Sequence, residues 1–120
     1  MDLCKVLFIC LGNICRSPTA EAVFKRIVED RGFKDRFYID SCGTGAWHIG
    51  NLPDSRAMAA AEKRGYSLVG QRARQLALND YTNFDYMIAM DRDNLLAVKA
   101  KTPATFNGRL VLFTSFIRDS

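Results

Sequence analysis

Val6-Leu7-Phe8-Ile9-Cys10-Leu11-Gly12-Asn13-Ile14-Cys15-Arg16-Ser17-Pro18 is the stretch around which the rest of the chain is organised. Lys5 to Cys10 is a nearly continuous apolar run, the pattern of a short strand buried on both faces of a parallel sheet. Leu11 to Ser17 then reads as a turn. Pro18 suits the first helical position, where its missing N–H costs nothing, and Ser17 suits the N-cap before it. From Thr19 to Arg31 the spacing predicts a helix. Ala22, Val23, Ile27 and Val28 form its apolar side, and Glu21, Lys25, Arg26, Glu29 and Asp30 its polar side. Strand, turn and helix together aim backbone N–H groups and the positive end of a helix at one small hollow. Such a hollow takes phosphate-like dianions.

Cys10 lies at the base of that hollow. A free thiol titrates near ~8.5, and a helix N-terminus with a nearby guanidinium lowers that value by several units. Arg16 supplies the guanidinium, whose planar fork grips two phosphate oxygens where a lysine grips one. Gly12 lets the loop approach its ligand closely. Asn13 tolerates unusual backbone angles and can brace the loop through its side chain. The Ser17 hydroxyl is placed to hydrogen-bond a thiolate. A Cys-x5-Arg spacing alone is weak. Joined to a preceding strand, Gly12, Ser17 and a proline-opened helix, it predicts a cysteine nucleophile acting on phosphorus.

Cys10-Leu-Gly-Asn-Ile-Cys-Arg-Ser-Pro-Thr-Ala-Glu21, Ile39-Asp40-Ser41 with Gly43-Thr44, Pro53-Asp54-Ser55-Arg56, Ala73-Arg74-Gln75, and Phe84-Asp85 leading to Met90-Asp91 follow one another along nearly the whole chain. In these motifs, their order and their spacing, the sequence resembles the low-molecular-weight protein tyrosine phosphatases. The resemblance implies a phosphocysteine formed at Cys10 and phosphate held by Arg16. It implies a phosphate-binding loop of Leu11, Gly12, Asn13, Ile14, Cys15, Arg16 and Ser17, with Asn13, Ser17 and Ser41 stabilising it. It makes Cys15 the redox partner of Cys10 through a reversible disulfide. It also puts Trp47 at the cavity mouth as an aromatic wall for an aryl phosphate. Phosphotyrosine proteins or aryl phosphates are then the expected substrates, and inorganic phosphate the product and inhibitor. Neither a cofactor nor a metal is expected.

Two departures accompany the resemblance. Where the family often has a histidine in the network bracing the loop, this chain has Gln71, which still hydrogen-bonds. The family's general acid lies in an Asp-Pro-Tyr-type segment followed by a final helix. No Asp-Pro pair occurs here, and Asp119 falls too early to be that acid. The expectation is therefore an incomplete C-terminus, an impaired enzyme in this form, and apolar sheet surface where the last helix would pack. Homodimerisation through that face, or a rearranged tail, would cover it.

Strand signals recur at Phe37–Ser41, Asp85–Met90 and Leu110–Phe113. Helical patterns occupy Ser55–Arg64, ended by Gly65, and Asp91–Lys101, with Asp91 as N-cap. Gly43 to Asp54 reads as a Gly-rich loop. Alternating strands and helices predict a doubly wound α/β fold: a four-stranded parallel sheet in a three-layer α/β/α arrangement with the last helix missing, as one domain over 1–120. The site belongs at the carboxyl ends of the strands. Ala57, Met58, Ala60 and Ala61 are expected to pack closely. Tyr66, Tyr81 and Tyr86 read as packing residues, and Arg72 and Arg74 as a solvated loop.

Composition narrows the partners. Of the 120 residues 48% are apolar, enough for a core, and the net charge is only +4. Acidic and basic residues are interspersed without a basic patch of stacking aromatics, so nucleic acid is not expected. No apolar run approaches the ~18 residues of a membrane span. A cytoplasmic, reducing location is expected, with Cys4 and Cys42 as ordinary small residues. His48 is the sole histidine, and the four cysteines form no zinc-ligand pattern. Two other uses of the scaffold stay open. An arsenate reductase needs later resolving cysteines, and none follows Cys42. A phosphate- or phosphopeptide-binding module would hold its ligand with little turnover.

Overall fold

The computed structural model describes residues 3–116. Four parallel strands, β1 (Cys4–Cys10), β2 (Phe37–Gly43), β3 (Tyr86–Ala89) and β4 (Arg109–Leu112), lie in the order β2-β1-β3-β4. The helices are α1 (Arg16–Asp30), α2 (Ser55–Lys63), α3 (Asp80–Asn83) and α4 (Arg92–Ala100). The chain winds outward from β1 in both directions, so the sheet's switch point lies between β1 and β3. That is where open α/β sheets place ligands.

The period-two alternation of β1 divides the core in two. Leu7 and Ile9, with Cys42 and Met87, face Tyr81, Phe84 and the α4 residue Val98. Val6 and Phe8, with Ile39 and Ile88, face Val28 and Phe24 of α1. A smaller cluster of Ala22, Ala61 and Leu68, flanked by Ala57 and Met58, joins α1 to α2. Helices thus cover both faces, giving the three-layer arrangement expected. Between α1 and Phe113 the second face is open as a groove of about 530 Å³, lined by Phe8, Ala20, Val23, Phe24, Met90 and Phe113. Asp119 lies outside the described residues. Among the described residues no helix is long and apolar enough to cross a membrane.

Several boundaries and exposures differ from expectation. Helix α1 begins at Arg16, two residues before the Pro18 start expected, and its N-cap is Cys15 rather than Ser17. The Ser17 hydroxyl turns inward to the Cys10 sulfur instead of capping. Pro18 is therefore the third helical residue, still within the first turn whose N–H groups have no intrahelical acceptor. Glu21, assigned to the polar side, is buried, and Ile27, assigned to the apolar side, is 41% exposed. Ala60 is exposed while its neighbours Ala57, Met58 and Ala61 pack. Tyr81 packs as expected, its hydroxyl donating to the Val98 carbonyl at 2.6 Å, but Tyr86 lies exposed at the start of β3. Helix α3 is four residues long, too short to register as a period.

The helix ends follow local chemistry. Asp54 and Asp91 cap α2 and α4, accepting from the N–H groups of Ala57 and Asn94. After α2, Gly65 adopts φ 87°. Its N–H donates to the Glu62 carbonyl, and Tyr66 N–H donates to that of Ala61. This Schellman closure favours glycine because a side chain is strained in the left-handed region. Gly65→Ala meets open space apart from the end of the Arg26 side chain. It should therefore lower unfolding free energy by about 1–2 kcal/mol through backbone strain alone, measured by urea titration, and leave phosphate affinity unchanged.

Candidate active site

The loop from Leu11 to Cys15 leaves the carboxyl end of β1 and turns directly into α1. Its centre is Asn13, 3% exposed and the one non-glycine residue with positive φ among the described residues, at 55°. Asparagine is among the few residues that adopt this conformation readily. The Asn13 N–H donates to Cys10 Sγ at 3.2 Å. Its Nδ2 donates to Ser17 Oγ at 2.9 Å and to Ser41 Oγ at 3.0 Å. Its Oδ1 accepts from the Arg74 backbone N–H at 3.0 Å. Every polar atom of the side chain is thus engaged.

Ser17 Oγ stands 3.0 Å from Cys10 Sγ and 3.3 Å from the Cys42 carbonyl oxygen. Asn13 occupies a lone pair of the Ser17 oxygen, so its single proton goes to one of two acceptors within reach, the Cys10 sulfur or the Cys42 carbonyl oxygen. Ser41 donates onward to Glu21 Oε1 at 2.6 Å, and Glu21 Oε2 accepts from Lys25 Nζ at 2.5 Å. The buried Glu21 carboxylate therefore ends the network with its charge paired. This explains its burial on a helix face that otherwise reads as polar.

The end of β2 holds the loop from the other side. Thr44 N–H donates to the Cys10 carbonyl at 2.8 Å and Gly45 N–H to that of Leu11 at 2.9 Å. A Cβ at Gly43 would sit 2.6 Å from the Leu11 carbonyl oxygen and 3.1 Å from Asn13 N. The missing side chain is what lets strand and loop approach. On the outer side, Asp54 N–H donates to the Ile14 carbonyl at 2.7 Å, and the His48 ring packs against Gly12.

Arg16 lies at the rim, its Nη1 donating to Asp91 Oδ2 at 2.6 Å with both side chains partly exposed. Asp91 also accepts the Asn94 N–H at 2.8 Å as the cap of α4. The Arg16 hydrogen bond, aided by that N–H, holds the Asp91 carboxyl below the usual carboxylate range. One aspartate therefore joins the first turn of α1 to the first turn of α4 across the switch point.

The structure brings Cys10, Asn13, Ser17 and Ser41 into one hydrogen-bonded cluster, with Arg16 at the rim turned to Asp91. Leu11 and Cys15 are exposed on the loop, and Ile14 is half-buried. Trp47 is 72% exposed, with its ring over Gly45 in the loop after β2. Gln71 donates to the Pro18 carbonyl at 3.0 Å, so it braces the first turn of α1 and not the Asn13–Ser17–Ser41 cluster. Arg72 is exposed, as read. Arg74 is not a solvated loop residue: it pairs with Asp40 and Asp80. All four cysteines are free thiols, and burial pushes the Cys42 thiol well above the ordinary range. No cluster of His, Cys, Asp or Glu among the described residues is arranged to hold a metal. Glu21, Gly43 and the Arg16–Asp91 pair are the site features that sequence reasoning missed. In the sequence Asp91 reads as a helix cap closing the Met90-Asp91 motif, and its hold on Arg16 needs the spatial meeting of two helix starts.

A doubly wound parallel sheet whose first strand ends in a thiol, with the Asn13 N–H aimed at the sulfur and an arginine at the rim, has the layout of a cysteine-dependent phosphatase. The sequence profile of the low molecular weight phosphotyrosine protein phosphatases matches residues 5–120. A low molecular weight phosphotyrosine protein phosphatase of Schizosaccharomyces pombe is 49% identical over 113 residues, covering 93% of this chain and 72% of that one. The protein-tyrosine-phosphatase YfkJ of Bacillus subtilis is 38% identical over 115 residues, covering 96% and 74%. The YfkJ crystal structure superposes with a TM-score of 0.94 at 37% identity, over all of this chain and 76% of that one. A protein tyrosine phosphatase from Entamoeba histolytica gives 0.92 at 37% identity, over 98% and 74%. The chain belongs to the low molecular weight phosphotyrosine protein phosphatase family.

The contact at Gly43 makes a direct test. Gly43→Ala forces β2 away from the loop against backbone atoms that cannot yield cheaply. Overpacking of this kind costs about 1–3 kcal/mol. The variant should lose stability by that amount in urea titration and, in the folded protein, bind inorganic phosphate more weakly than wild type.

Proposed function

We propose that the chain hydrolyses phosphotyrosine through a phosphocysteine at Cys10. The observation that carries this reading is the sulfur itself, held between Asn13 N–H at 3.2 Å and Ser17 Oγ at 3.0 Å at the carboxyl end of β1. In the first step the Cys10 thiolate attacks phosphorus in line. The P–S bond forms as the bond to the phenolic oxygen breaks, and the electron pair leaves with that oxygen, which takes a proton from solvent water. In the second step water attacks phosphorus. The P–S bond breaks, the thiolate is restored and inorganic phosphate departs. Backbone N–H groups of the loop and the Arg16 guanidinium stabilise the equatorial oxygens throughout.

Asp91 engages one nitrogen of Arg16 and leaves its other donors for the anion. Ser17 acts chiefly in the second step, where its hydroxyl donates to the departing thiolate. Leu11 and Trp47 form the apolar lip against which the aryl ring lies. Phosphate, as product, competes for the same cradle, and the chemistry calls for no cofactor. A reducing compartment, as in the cytoplasm, keeps the nucleophile free.

Turnover of p-nitrophenyl phosphate and of a phosphotyrosine peptide tests these roles. Cys10→Ser should abolish turnover of both while retaining phosphate binding, and turnover surviving in that variant overturns the nucleophile. Ser17→Ala should slow steady-state turnover roughly 10- to 100-fold, the worth of one hydrogen bond to a charged atom. It should also show a burst of nitrophenol, because release of phosphate from sulfur becomes limiting.

The same reading makes Cys15 a partner that protects Cys10. Under peroxide the Cys10 thiolate is oxidised to a sulfenic acid, and the Cys15 thiolate displaces hydroxide from it to form a disulfide. Mass spectrometry after mild peroxide should find the Cys10–Cys15 bond, reversed by thiol. A sulfinic acid at Cys10 with Cys15 free contradicts the pairing.

A further inference from the structure

Arg74 sits on the side of Asn13 away from the phosphate hollow. Its guanidinium makes two parallel bonds to Asp80, Nη1 to Oδ2 and Nη2 to Oδ1, each 3.0 Å. Nε bonds Asp40 Oδ2 at 3.1 Å, and Nη2 lies 3.0 Å from the same oxygen. Asp80 is almost fully buried and its Oδ2 also accepts the Ala77 N–H at 2.8 Å. Burial opposes the Arg74 charge, but the Asp80 hydrogen bonds and nearby negative charge raise its pKa above even the ordinary guanidinium value. The backbone of the same residue reaches the opposite way. Its carbonyl accepts the Gly43 N–H at 2.8 Å, and its N–H is the partner of Asn13 Oδ1.

We propose that Arg74, clamped by Asp40 and Asp80, is a positioning residue that sets the orientation of the Asn13 amide and through it the donors around Cys10. This rests on reading the Cys10 loop as the phosphate site. The logic is one of hydrogen-bond direction. Asn13 is buried, so its Oδ1 needs a donor, and Arg74 N–H supplies it. With Oδ1 fixed on that side, Nδ2 faces the two hydroxyls, Ser17 and Ser41. Ser17 then accepts a hydrogen bond from Asn13, and its own proton stays free for the Cys10 sulfur or the Cys42 carbonyl oxygen. If the 73–76 segment loosens, Oδ1 loses its donor. The amide can then rotate its oxygen toward Ser17, which would spend its proton there instead of on Cys10. The guanidinium never meets substrate, and its influence passes through a backbone N–H.

The test uses the whole 120-residue chain. Arg74→Met, Asn13→Ala and the double variant are compared with wild type by titration with inorganic phosphate and by kcat/KM for p-nitrophenyl phosphate, each per folded molecule by circular dichroism. Small displacements of positioning groups cost up to about 10²-fold. The expected result is a loss approaching that size in Arg74→Met, in affinity and kcat/KM alike, and a double variant no worse than Asn13→Ala. Arg74→Lys, which keeps the charge but not the fork, should recover part of the loss. If Arg74→Met does not fold, Asp40→Asn removes one side of the clamp and should show a smaller loss of the same kind. Arg74→Met within about twofold of wild type, or losses that multiply in the double variant as for independent sites, overturns the proposal. Should wild type bind no phosphate, the functional reading fails separately. The Asn13 side-chain amide resonance in ¹⁵N NMR then still reads the clamp, because it should shift or broaden in Arg74→Met, and an unmoved resonance refutes the coupling.

Discussion

The left-handed backbone of Asn13, satisfied on all sides, is the constraint on which the site depends. A buried amide carries two donors and an acceptor, and leaving one unpaired costs about 1–3 kcal/mol. Here each finds a partner from a different part of the chain: Ser17 in α1, Ser41 in β2 and the backbone of Arg74. The backbone N–H, freed by the unusual φ, points at the sulfur. The loop therefore needs no ligand to hold its shape. Binding an anion does not have to order the loop, so that entropic cost is avoided at the moment of recognition.

The sheet supplies the frame. Parallel pairing sets Phe8 opposite Ser41 and Cys10 opposite Gly43. A one-residue slip would turn Ser41 to the other face, since side chains alternate. The same slip would put a Cβ where Gly43 now touches Leu11. Register, the apolar run of β1 and the absence of a side chain at residue 43 thus work as one requirement. The starts of α1 and α4 meet across the switch point only because β1 and β3 are neighbours, which gives Asp91 both a cap to make and an arginine to hold.

Much of this was legible in the sequence. Buried strands, capping aspartates and helix-ending glycines are local signals, and Cys10, Asn13, Arg16 and Ser17 lie within eight consecutive residues. What was not legible depends on distance along the chain. Glu21 looks like any polar helix residue until Ser41 arrives beside it, twenty residues later. Arg74 looks solvated because the two carboxylates that pair with it sit on β2 and α3, and α3 is too short to announce itself by periodicity. Ser17 carries a generic capping signature, but the sulfur outcompetes the helix end for its hydroxyl. In each case a local rule yielded to a partner that only the fold supplies.

The site draws on residues from Cys10 to Asp91, across the ends of two strands and the starts of two helices. No short contiguous piece of the chain contains it. Non-local contacts form late in folding because loop closure must precede them. The catalytic arrangement therefore depends on contacts between parts of the chain that are distant in sequence. Turnover is a stricter gauge of the native state than any spectroscopic signal of secondary structure. During refolding it should lag the recovery of helicity by the time β2 and the 73–76 segment need to dock around Asn13.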